Sequence, residues 1–175
     1  MNEAKAALTS LIRTKNDNEQ LYTDYAKIQV KLTSAYTTAQ TVLDNSGSTL
    51  QNIKDAQRDL ENAISDAKSS KQTFNTTNAD LVTAYQELKT ALGREADTLA
   101  KFSQSGIQYI LARARLNSLY KSGKEIVSKT LEPVKGEIPT TQSITRITTE
   151  LKAFSAASVA KDVIGVIKKL LPSKS

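Results

Sequence analysis

Residues 21–43 read LYTDYAKIQVKLTSAYTTAQTVL. Leu21, Tyr25, Ile28, Leu32, Ala35, Ala39 and Val42 recur at alternating spacings of four and three, which lines them along one side of an α-helix. Tyr22, Tyr36 and Leu43 widen that stripe beyond the seam of a two-stranded coiled coil, so the pattern predicts a helix packed in a bundle. Asp44-Asn45-Ser46-Gly47-Ser48 ends it. Gly47 suits a left-handed C-cap, and Ser48 or Thr49 suits the next N-cap.

The same periodicity extends outward in both directions. Upstream, Ala4, Ala7, Leu8, Leu11 and Ile12 share a face over about residues 3–15, before the polar stretch Lys15-Asn16-Asp17-Asn18. Downstream, Leu50, Ile53, Ala56, Leu60, Ala63, Ile64, Ala67 and Phe74 predict a helix over about 49–74, closed by Asn75-Thr76-Thr77-Asn78. A fourth segment, about 78–103, carries Leu81, Tyr85, Leu88, Leu92, Ala96, Leu99 and Phe102; its Gly93 costs about 1 kcal/mol against Ala, and packing is expected to carry the helix through. Ile107, Ile110, Leu111, Ala114 and Leu119 predict the core face of a fifth helix that passes Gly123. Pro133, Gly136 and Pro139 then force a loop. A last helix, capped by Thr140 or Thr141, follows Ile144, Ile147, Leu151 and Phe154, and continues through Val159, Val163, Ile167 and Leu170 to Pro172. The reading is an all-α, elongated up-and-down bundle of about six helical segments. It forms one body or two, divided near residue 76.

Composition narrows the chemistry. The chain of 175 residues has no Cys and no His, which removes disulfides, thiolate nucleophiles, imidazole bases and ordinary zinc sites. Its apolar runs fall far short of the roughly 20 residues that span a bilayer. No targeting segment opens the chain; Met1 fits a native cytoplasmic start, or a start that replaces a removed leader. The net charge of +6 is uneven: residues 1–75 balance nine Lys/Arg against nine Asp/Glu, whereas residues 101–175 hold thirteen against five. That asymmetry points the C-terminal part toward an anionic partner.

Candidate sites are few. Asp55, Asp59, Glu61 and Asp66 interleave with Lys54, Arg58 and Lys68, as on a solvated helix face rather than in a metal or general-base cluster. Ser122-Gly123-Lys124 lacks the upstream glycine of a phosphate loop, since position 118 is Ser. No serine has a histidine base. No catalytic, cofactor or metal site is expected. Tyr109, Arg113, Arg115 and Tyr120 form the one aromatic-basic cluster to test for single-stranded nucleic acid, a disfavoured partner because no motif supports it. The C-terminal helix sets Val163, Ile167 and Leu170 on an apolar side and offers Lys161, Lys168 and Lys169 to anionic headgroups; residues 155–171 are therefore the membrane candidate. The plainer reading is that this helix closes the bundle.

Residues 5–67 resemble a FIVAR module, a small three-helix unit of bacterial surface proteins that include mycoplasma haemagglutinin-like lipoproteins and giant staphylococcal wall-associated adhesins. The resemblance lies in Leu8-Thr9-Ser10-Leu11-Ile12, in Leu32-Thr33-Ser34-Ala35-Tyr36-Thr37-Thr38-Ala39-Gln40-Thr41-Val42-Leu43, and in Ile53-Lys54-Asp55-Ala56-Gln57-Arg58-Asp59-Leu60-Glu61-Asn62-Ala63-Ile64. It implies a non-enzymatic role in adhesion or spacing, at the cell surface, with a protein partner or a host-cell or matrix ligand. Residues 76–175 resemble no named family. They read as a basic helical region, either separate or continuous with the first module. Two other roles stay open on the residues alone: an intracellular scaffold using exposed seam positions near Leu81, Leu88 and Leu92, and a membrane-binding bundle acting through residues 155–171.

Overall fold

The computed structural model describes residues 1–156, and among them every regular element is an α-helix. There are eight: α1 (Asn2–Ile12), α2 (Lys15–Gln20), α3 (Ala26–Asp44), α4 (Leu50–Thr77), α5 (Ala79–Leu92), α6 (Glu95–Lys101), α7 (Ile107–Lys129) and α8 (Thr141–Ala156). The chain folds as two compact units. Among the described residues, unit 1 holds 1–79 together with 130–138, and unit 2 holds 80–129 and 139–156.

In unit 1, α1, α3 and α4 pack on one another around Leu8, Ile28, Leu32, Tyr36, Ile53 and Leu60, all buried. Each such Leu or Ile removed from water contributes about 1.5–3 kcal/mol, and this holds the helices together. The first helix ends at Ile12, and the polar stretch from Lys15, expected as a break, is itself the short helix α2. Thr14 turns its hydroxyl onto the Leu11 carbonyl at 2.6 Å, a local bond that competes with continuation of the helix, and α2 restarts at Lys15. The α3–α4 turn also differs from expectation. Gly47 is not left-handed; its amide donates to Asn45 Oδ1 at 2.9 Å, so the Asn side chain shapes the turn. Thr49 caps α4 as expected: its hydroxyl accepts from the Asn52 amide at 3.0 Å, and Asn52 Oδ1 accepts from the Thr49 amide at 2.9 Å. The helix then runs through Asn75, Thr76 and Thr77, because Phe74 stays buried against Tyr25, edge to face at 5.6 Å.

In unit 2 the helix expected over 78–103 breaks at Gly93-Arg94, so packing does not carry the glycine through. Leu81, Tyr85 and Leu88 are buried in α5, which withdraws Leu81 and Leu88 as exposed seam positions. The core face of α7 is also not the expected one. Ala112, Leu116, Leu119, Tyr120 and Gly123 are buried, whereas Ile107, Ile110 and Leu111 are 72%, 56% and 53% exposed. Two apolar stripes compete on this helix, and the one that carries Leu116 and Tyr120 turns inward. Gly123 admits α5 closely: a Cβ there would lie 2.9 Å from Leu92 Cδ2. Ile144, Leu151 and Phe154 supply the core face of α8, with Phe154 edge to face on Phe102 at 5.8 Å. Thr140 caps α8, its hydroxyl accepting from the Ser143 amide at 3.1 Å.

Candidate functional site

The residues of the aromatic-basic cluster are all on α7, and both arginines are engaged within unit 2. Tyr109 is half-buried and Tyr120 is 1% exposed, so the Tyr120 ring offers no face for a base to stack on. Arg113 sends Nη1 to the carbonyls of Phe102 and Gln104, the latter at 2.9 Å, and so stitches the α6–α7 connection. Arg115 is engaged by Glu150, Nε to Oε2 at 2.8 Å and Nη2 to Oε1 at 2.7 Å. Burial raises the Tyr120 phenol pKa above the ordinary tyrosine range; Thr98 and Lys124 pull the other way, and Glu95 adds to the rise. The membrane candidates Lys161, Val163, Ile167, Lys168, Lys169 and Leu170 lie outside the described residues.

Elsewhere the surface carries shallow grooves. One of about 580 Å³ runs between α3 and α4, with Lys27 and Lys31 on one wall, Asp59 and Asp66 on the other, and Ala35 and Ala63 between. Small floor residues and opposed charged walls suit peptide or side-chain contact better than a buried small molecule. Among the described residues, no group of three or more His, Cys, Asp or Glu is placed to hold a metal ion, and no helix is long and apolar enough to cross a membrane. Asp55, Asp59 and Arg58 form exposed ion pairs at 3.3 and 3.7 Å, as a solvated face does.

The sequence model of a protein family, the FIVAR domain, matches residues 4–68 and again residues 84–157. The chain belongs to the FIVAR family. FIVAR is a non-catalytic module of bacterial surface proteins. No curated protein and no solved structure matches the chain.

Six pairs of large core residues correspond between the two FIVAR repeats. Leu8 has its counterpart in Leu88, Tyr22 in Phe102, Leu32 in Leu116, Tyr36 in Tyr120, Ile53 in Ile144 and Leu60 in Leu151, and all twelve are buried. The capping threonines Thr49 and Thr140 occupy the same place. The second repeat carries only a faint sequence signal of the first: Leu32-Thr33-Ser34-Ala35-Tyr36 recurs in outline as Leu116-Asn117-Ser118-Leu119-Tyr120. Ile107, Ile110 and Leu111 drew attention to the wrong stripe. The repeats diverge in their polar interiors. Tyr36 Oη bonds Thr14 Oγ1 and Asn18 Nδ2, each at 2.7 Å, whereas the Tyr120 hydroxyl is buried near Thr98 without a well-formed hydrogen bond. They also diverge in the loop before the last helix, which is short at Asn45–Ser48 and long over 130–140.

Proposed function

We propose that this chain is a non-enzymatic adhesion or spacing module of a bacterial surface protein. The observation that carries this reading is the tandem pair of FIVAR matches, which together take up most of the chain. Helices suit spacing: the 28 residues of α4 rise about 42 Å at 1.5 Å each. Contact with a protein partner is supported by Ile107, Ile110 and Leu111, three large apolar side chains left in water at helical spacing on α7. A contiguous exposed apolar stripe of this kind is what protein interfaces bury.

Binding of the purified full chain to host cells and to immobilised matrix proteins tests the adhesive reading. Saturable binding that is lost in Ile110→Ser/Leu111→Ser, with circular dichroism unchanged, is the expected result. Binding that is absent, or indifferent to those substitutions, leaves spacing as the role and removes the α7 stripe from it.

A further inference from the structure

Helix α3 begins without a side-chain cap of its own. Its N-cap position is Tyr25, and no side chain there accepts a bond from the first turn. The missing acceptors come from residues 130–132. The Ala26 amide donates to Thr130 Oγ1 at 3.1 Å, and the Lys27 amide to the Glu132 carbonyl at 2.9 Å. In return the Leu131 amide donates to the Asp24 carbonyl at 2.8 Å, and the Leu131 side chain is fully buried. Two of the four orphan donors at the start of a helix are thus satisfied by a segment far away in sequence.

We infer that residues 130–138 are a recognition clasp: the long hairpin loop of the second FIVAR repeat serves as the N-cap of the first repeat's central helix. Three observations carry this. The clasp is the part of the second repeat's loop that has no counterpart in the first, whose loop is only Asn45–Ser48. It belongs to unit 1 by its contacts, whereas the chain on either side of it belongs to unit 2. It is also held in a costly conformation: Thr130 has φ +66°, a region that β-branched residues avoid, and Gly136 has φ +95°.

The clasp is also directional. The residue of α7 that corresponds to Ala26 is Ile110, but α7 begins earlier than α3 does, and the Ile110 amide already donates to the Gly106 carbonyl at 3.1 Å. The position equivalent to Ala26 therefore lies inside the first turn of α7 and is not a helix start. A loop of this kind fits a module whose central helix starts late, as α3 does. The partner it fits is a preceding FIVAR module with an uncapped helix start.

Amide hydrogen exchange on the full chain tests this, with three variants. Thr130→Gly relieves the backbone strain but deletes the acceptor, and exchange at Ala26 should accelerate roughly fivefold. Thr130→Asn, which tolerates positive φ and caps well, should restore protection. Leu131→Asp should expose Ala26 and Lys27 together while the Leu116 and Leu151 amides of unit 2 keep their protection. Unchanged exchange at Ala26 and Lys27 in both Thr130→Gly and Leu131→Asp would overturn the inference. So would equal acceleration at Leu116 and Leu151, which would make the loop an ordinary part of unit 2.

Discussion

Arg115 grips Glu150 through two parallel hydrogen bonds, and the pair is lopsided: the Glu150 side chain is 6% exposed and that of Arg115 is 42%. The corresponding residue of the first repeat, Asp59, is 72% exposed and needs no such partner. Glu150 is therefore a carboxylate that unit 2 holds inside only because Arg115 reaches it from the rim.

Arg115→Met should cost about 2 kcal/mol, less than the loss on breaking a fully buried pair because water reaches one partner. Arg115→Met/Glu150→Leu should recover most of that loss, since an apolar pair of similar volume replaces a charge left alone. Urea denaturation of the single and double variants reads both effects. A single variant as stable as the parent would show that Glu150 is not held by Arg115.

The two equivalent tyrosines should respond in opposite ways to the same substitution. Tyr36→Phe deletes the bonds to Thr14 and Asn18 and should cost about 1 kcal/mol, because Asn18 is left with a donor unmet. Tyr120→Phe removes a buried hydroxyl that has Thr98 near it but no well-formed hydrogen bond, and should be neutral or slightly stabilising. Thermal melts of the two variants side by side decide it. Equal losses at both positions would mean that Tyr120 Oη has a partner.

Alkaline pH should unfold the chain through its tyrosines. Burial raises the phenols of Tyr22, Tyr25 and Tyr120 above 10.0. The unfolded chain ionises near 10.0 while the folded one holds these protons, so the stability they contribute is complete below that pH and is lost as pH rises through the folded values. Tyrosinate absorbance should rise in two phases, with the later one coinciding with loss of helical circular dichroism. A single phase at the ordinary tyrosine value, with the helices intact, would contradict this.

Much of the fold was legible because helical periodicity is a local signal. The stripe from Ile28 to Ala39 and the cap at Thr49 were both readable without any knowledge of the partner helices. What failed needed tertiary information. On α7 two stripes were equally apolar, and only the packing of Leu116 and Tyr120 decides which one is buried. Gly93 breaks a helix that the apolar pattern alone would continue, and the polar stretch from Lys15 forms the short helix α2 without an apolar stripe to announce it. The clasp was illegible because Thr130 and Ala26 are 104 residues apart, and a loop rich in Pro and Gly reads the same whether or not it caps a distant helix. The arginines looked available to a ligand because the sequence does not show that Glu150 and the carbonyls of Phe102 and Gln104 take them up.

In the role proposed for them, these paired FIVAR repeats work from the outside of a bacterial cell. Antibody against the chain, applied to intact producing cells and to permeabilised ones, addresses it directly. The claim predicts equal labelling of both. Labelling that appears only after permeabilisation would contradict it.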